Sequence, residues 1–251
     1  MSTTDKTISR WLSDPAAQDR IGKALQGVID GPAFAEMCII ASRSPGLADC
    51  APDSLLNAFL TCAQIGLAPG PVGHVALIPR KGEVQVQIQW AGYKALMERS
   101  VRSVTPVLVH MRDEIEVHAS GSVRHTCDPF DADREFHGPD DLRGGYLRIE
   151  HNDGRTTFHV VSKAKIERNR RCARSQNVWN QWYPEMAMKT IIRDAWNRRA
   201  VPLEGSATSH IVAAEQHDRD FYEESPATVS VTSPADRALT WAAPEPKPDL
   251  V

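Results

Sequence analysis

The chain has 251 residues, 41% hydrophobic and 24% charged, with a formal net charge of -3. That is enough to bury one sizeable core, and no stretch approaches the roughly 18 consecutive apolar residues of a membrane span, so a soluble globular protein without membrane partners is expected. The five cysteines, Cys38, Cys50, Cys62, Cys127 and Cys172, are scattered, contain no C-x-x-C pair and predict reduced thiols, mostly in or near the core.

The opening "MSTTDKTISRWLSDPAAQDR" carries charges throughout and lacks the apolar centre of a secretory signal, which predicts a cytoplasmic protein with residues 1–24 as a flexible arm. A folded domain is expected over residues 25–203. Helical spacing marks "DRIGKALQGVI" and "PAFAEMCIIASR". Pro52, with Asp53 or Ser54 as N-cap, opens a helix whose Leu55, Leu56, Phe59, Leu60 and Ala63 form an apolar face; Gly66 ends it, with Leu67 folded back on the last turn. "HVALIP" and "VQVQIQW" are strands around an Arg80-Lys81-Gly82-Glu83 turn, the second burying Val84, Val86, Ile88 and Trp90 on one face. "GYKALMERS" is a helix, and "SVTPVLVHM" and "EIEVH" are further strands. "GYLRIEHNDGRTTFHVVS" is a hairpin in which Asp153-Gly154 suits a type I′ turn. Ser162 caps the helix "KAKIERNRRCARS", and Pro184 sits in the first turn of "PEMAMKTIIRDAWNRRA". Helices, an antiparallel meander, then helices predict an α+β domain.

Charge is distributed unevenly. Residues 161–200 hold ten basic side chains against three acids, a local balance of +7, whereas residues from Val201 onward hold nine acids and three bases. This pattern points to a polyanion-binding block followed by an acidic segment. Residues 204–251, acidic and proline-rich, are too poor in periodic apolar positions to repay ordering entropy and are expected to be mostly disordered.

Two blocks of residues carry a resemblance. Ser54-Leu55-Leu56, Ala63-Gln64-Ile65-Gly66-Leu67-Ala68-Pro69-Gly70, Gly73 to Pro79, and Trp90-Ala91-Gly92-Tyr93 with Glu98-Arg99-Ser100 form the first; Trp179, Glu185-Met186-Ala187, Lys189-Thr190 and Arg193 form the second, with Asp113 between them at the place of an acidic strand residue. Over roughly residues 20–203 the chain resembles the RecT family of phage and prophage recombinases. The resemblance implies a non-enzymatic, ATP-independent protein that binds single-stranded DNA and anneals it to its complement. It also implies that copies assemble as rings or helical filaments holding the annealed duplex, with a phage exonuclease and a host single-strand-binding protein as companions.

The residues support that reading independently. An annealing protein holds the phosphates and leaves the base edges free, which needs fixed positive charge with few base-edge readers. Lys163, Lys165, Arg168, Arg170, Arg171 and Arg174 supply charge on one helix, and Gln176 and Asn177 follow in a polar loop. Lys189 and Arg193 would extend the same surface if the last two helices pack together. A basic helix is as often only a solvated face. For stacking, Trp179 and Trp182 in the polar loop are the exposed candidates, Tyr93 and Tyr183 are further ones, and Trp90 reads as core. Arg80 and Lys81 offer charge at the first hairpin, and Gly92 lets backbone approach closely beside the groove that the resemblance implies.

No phosphate-binding loop and no nucleophile elbow occurs, so neither a nucleotide cofactor nor a catalytic residue is expected. His110, Asp113, Glu114 and His118 do not make a metal set, because Asp113 and Glu114 would face opposite sides of a strand. Two rivals stand: a magnesium-dependent nuclease using Asp113, Glu116 or Glu150 with Lys163, and a coat protein that protects single strands without annealing them.

Overall fold

The computed structural model describes residues 3–70, 73–128, 130–131, 136–173, 176–202 and 208–223. Four helices come first: α1 (Thr3–Leu12), α2 (Pro15–Leu25), α3 (Gly31–Ser42) and α4 (Pro52–Ile65). The stretch 1–24, expected to be a flexible arm, instead holds α1 and most of α2 over its described residues. Ile8, Leu12, Ala17, Ile21 and Leu25 are all buried, and the two helices pack on α3 and α4. Their spacing of four is an apolar stripe that the many intervening charges obscured.

α4 ends as its sequence demands. Gly66 takes φ +70°, Leu67 donates its N–H to the Cys62 carbonyl at 3.0 Å, and the Leu67 side chain is buried. Its start differs from expectation: Pro52 is the first helical residue, and the Ser54 hydroxyl accepts the N–H of Val84 at 2.8 Å, tying the neighbouring hairpin to the helix. Arg99 completes the other end by donating to the carbonyls of Gly66 at 2.5 Å and Ile65 at 3.5 Å. Burial lowers its guanidinium pKa. Arg99→Ala leaves those carbonyls without a donor and is expected to cost about 1.5–3 kcal/mol, read as a fall in melting temperature.

β1 (Val75–Arg80) and β2 (Glu83–Ile88) pair antiparallel as a two-stranded sheet packed on α4. Lys81 and Gly82 both have positive φ, 53° and 82°, so the type I′ geometry falls here. At Asp153-Gly154 only the glycine is positive, as in a type I turn followed by an αL residue. β2 stops at Ile88 because Gln89 becomes the N-cap of α5 (Trp90–Met97). Trp90 therefore leaves the strand's alternation and is 43% exposed, not buried as its spacing suggested.

The central sheet is β3 (Ser103–His110), β6 (Leu142–Glu150) and β7 (Thr156–Ser162), all antiparallel in the order β3-β6-β7. Between β3 and β6 the chain inserts a separate hairpin, β4 (Glu114–Val117) with β5 (Val123–Thr126), so the meander is interrupted. Asp113 lies in the turn before β4 and not in a strand. α6 (Lys163–Arg171), α7 (Asn177–Gln181) and α8 (Tyr183–Asn197) follow. α8 is the core helix: Ala187, Ile191, Ile192 and Ala195 are fully buried, and it packs on α5, α6 and the β3-β6-β7 sheet. Gly145 allows this contact, since a Cβ there would sit 2.5 Å from Ile191 Cδ1. The fold class is α+β.

The chain divides into two compact units, residues 1–213 and 214–251. α9 (Thr208–Glu223) begins in the first, where buried His210 bonds the Ala24 carbonyl at 2.9 Å. The stretch from residue 204, expected to be a disordered tail, is thus helical over 208–223, and the rest of that expectation lies outside the described residues. Among the described residues, no helix is long and apolar enough to cross a membrane.

Candidate nucleic-acid interface

α6 follows directly from β7. Ser162 accepts the N–H of Lys165 at 3.4 Å as the N-cap, and Ile166 is the helix's one buried residue, anchoring it on the sheet. Arg168, Arg170 and Arg171 sit in the last turn, where positive charge complements the helix dipole.

The structure sorts these bases into two groups. Several are held by the protein itself. Lys163 Nζ is 2.7 Å from Asp140 Oδ1, and Lys165 Nζ is 3.1 Å from Asp194 Oδ1. Arg170 donates to Asn180 Oδ1 at 3.0 Å, lies 3.7 Å from Glu167, and places its guanidinium carbon 5.6 Å from the Tyr183 ring centre. Arg168 and Arg171 are the others: three residues apart on the outer face, both exposed, and without an ion pair to any described residue. Arg174 lies outside the described residues.

Asp194 is the hub beneath α6. It receives His159 Nε2 at 3.0 Å, Lys165 at 3.1 Å and Arg198 Nε at 3.2 Å. Burial pushes its carboxyl up, but the hydrogen bonds from His159 and Lys165 and the charges of Lys165 and Arg198 outweigh that and hold it below the ordinary carboxylate range. So α6 is fixed to α8 by charge, and part of the +7 block is neutralised inside the fold.

The loop after α6 is less open than its polarity suggests. Gln176 Nε2 donates to the Arg170 carbonyl at 2.8 Å, and exposed Asn177 opens α7. Trp179, expected to face a ligand, is 3% exposed and packs edge-on to Tyr183 with ring centres 5.6 Å apart. Tyr183 is itself buried and donates to Glu167 at 2.6 Å; burial, first, and that bond keep its hydroxyl protonated. Trp182 is 51% exposed, at the junction of α7 and α8.

Arg193 does not continue the α6 surface, because it points toward Tyr93 on α5. Arg193 bonds the Tyr93 hydroxyl and lies over that ring, 4.8 Å from its centre, while Tyr93 also meets Trp196 at 5.3 Å. Burial and then the Arg193 charge lower the Lys189 pKa. Tyr93 is 1% exposed, which removes it from direct stacking. Arg80 and Lys81 are exposed at the β1–β2 turn, with Arg80 reaching Gln85 at 3.4 Å. Trp90 is an exposed aromatic that periodicity placed in the core; its signal was Gln89-Trp90 as a helix start.

The residues of the nuclease rival are not gathered. Lys163 follows Ser162, which pairs with Gly144 at one end of β6, and Glu150 stands at the other end, bonded to Ser103 and Arg148.

A family model described as the RecT family matches residues 34–229. Protein RecT of Escherichia coli (strain K12) is 26% identical over 217 residues, which cover 78% of this chain and 77% of that protein. With the family's match running from α3 through α6, α8 and α9, the chain belongs to the RecT family and is a DNA recombination protein of the strand-annealing kind.

Proposed function

We propose that the chain binds single-stranded DNA by its phosphates on a surface centred on Arg168 and Arg171 and pairs it with a complementary strand without ATP, as an assembly of copies in a ring or filament. The observation that supports this best is the split of the basic block. Lys165 and Arg170 are engaged by Asp194 and Glu167, and Lys163 meets the fully exposed Asp140, while Arg168 and Arg171 stay exposed on the same helix. Two exposed guanidinium groups at one helix end, without an ion pair to any described residue, suit phosphates and read no base edge. Trp182 and Trp90 are exposed rings available for stacking, and Arg80 and Lys81 a second patch of charge. An exonuclease and a single-strand-binding protein are the companions proposed from family membership, with residues beyond 223 as their contact.

Complementary labelled oligonucleotides test the reading. The protein should speed their pairing with no nucleotide present, and affinity should fall with salt at a slope near ~0.7 per neutralised phosphate. A coat protein would slow pairing, and a nuclease would shorten the strands in magnesium. A flat salt response or a need for ATP overturns the proposal. Electron microscopy with and without annealed oligonucleotides tests the assembly.

A further inference from the structure

The β4–β5 hairpin carries a side-chain group that strand annealing does not use. Glu114 pairs with Thr126 and Ile115 with His125, so the next position outward sets Asp113 opposite Cys127. The open end of the hairpin brings Asp113, in the turn before β4, and Cys127, just after β5, to the same side as His125. Their donor atoms all lie within 4.8 Å of one another. His125 Nε2 is 3.1 Å from Asp113 Oδ2, and both side chains are almost wholly buried, at 7% and 2% exposure. Asp113 is oriented further by the His110 N–H, 2.7 Å from the same oxygen. On the far side of the imidazole, Nδ1 meets Tyr146 Oη at 3.1 Å, from β6 of the central sheet.

We propose that Asp113, His125 and Cys127 form a binding site for a zinc-type divalent cation, with Tyr146 as the outer partner that orients the imidazole. One carboxylate, one imidazole and one thiolate are the ligand types of this borderline-soft ion, and tetrahedral bonds of ~2.0–2.3 Å place donors about 3–4 Å apart. The Asp113–His125 separation already meets that spacing, and the Cys127 sulfur lies within 4.8 Å of both donors. On binding, the cation takes the place of the Nε2 proton that His125 gives to Asp113, the imidazole passes to its Nδ1–H tautomer by exchange with solvent and donates to Tyr146 Oη, and the one proton released is that of the Cys127 thiol. Water fills the fourth position. The site would fasten a hairpin that has only its own two-stranded sheet to the β3-β6-β7 sheet behind it. Neither the carboxylate nor the thiol alone suggests this; the cross-strand register does.

Titration of the full chain, purified reduced and metal-free, with cobalt(II) and then zinc tests it. The parent should develop a near-ultraviolet thiolate-to-cobalt band and the strong visible bands of a tetrahedral ion, both erased by zinc, and zinc should raise its melting temperature. Cys127→Ser should abolish the thiolate band, weaken zinc binding at least tenfold and remove the melting shift, with unchanged circular dichroism because Cys127 is exposed. Cys172→Ser, at the other exposed cysteine, should behave as the parent. No thiolate band in the parent, or a band that survives Cys127→Ser, would falsify the site and leave Asp113, His125 and Tyr146 as a buried hydrogen-bond network only.

Discussion

Replacing Arg168 and Arg171 together by glutamate should weaken single-strand binding roughly a hundredfold at low salt, about tenfold or ~1.4 kcal/mol for each arginine that meets a phosphate. The salt slope should fall by about 1 for each such contact, and annealing should be lost with binding. Both side chains are exposed and make no ion pair with a described residue, so the melting temperature should stay near the parent's, within the ~0.5 kcal/mol usual for surface positions. Arg170→Glu is the contrasting variant. It sets a carboxylate beside Glu167, removes the bond to Asn180 and uncovers the Tyr183 ring, so it should lower stability. If the double variant binds single strands as tightly as the parent, α6 is a solvated face and the DNA path must be sought around Trp182 or around Arg80 and Lys81. If Arg168→Glu with Arg171→Glu unfolds the chain, the division of the basic block into structural and free members is wrong.

Gly92→Val should be the most destabilising single change, costing more than about 3 kcal/mol, beyond the usual range for overpacking. A Cβ at Gly92 would collide with the His74 carbonyl oxygen and lie 2.9 Å from Ile88 Cγ2 and 3.0 Å from Leu67 Cδ1. That carbonyl has no room to retreat, because it accepts the Gln89 N–H at 2.9 Å where β2 hands over to α5. At ~2–4 °C per kcal/mol for a chain of this size, the melting temperature should drop by about 10 °C. The glycine is therefore read as a packing device: it lets α5 lie against the end of the first hairpin and the Leu67 cap of α4. A Gly92→Val protein with parental melting behaviour and lost DNA binding would restore the alternative, in which this backbone faces the strand.

Local physical chemistry was enough for much of the fold. Gly66 stopping α4, Leu67 returning onto it, Ser162 capping α6 and Pro184 opening α8 each depend on one or two neighbouring residues, and each stands where the sequence puts it. The basic block was equally legible, since charge counts need no structure. What the sequence could not decide was which of those charges remain for a ligand. Asp194 is 29 residues from Lys165 in sequence and 3.1 Å from it in space, and Asp140 is 23 residues from Lys163; only the packing of α8 and the β6 edge brings these pairs together. The aromatics exchanged roles for a similar reason. Trp90 followed the alternation of β2 until Gln89 capped a new helix and turned it outward, while Trp179, among polar neighbours, folded onto Tyr183 across the α7–α8 turn. The pairing of β3 with β6, past an inserted hairpin, likewise came from the sheet. Periodicity reports which residues share a face of one element, but burial depends on what packs against that face, and that is settled by contacts distant in sequence.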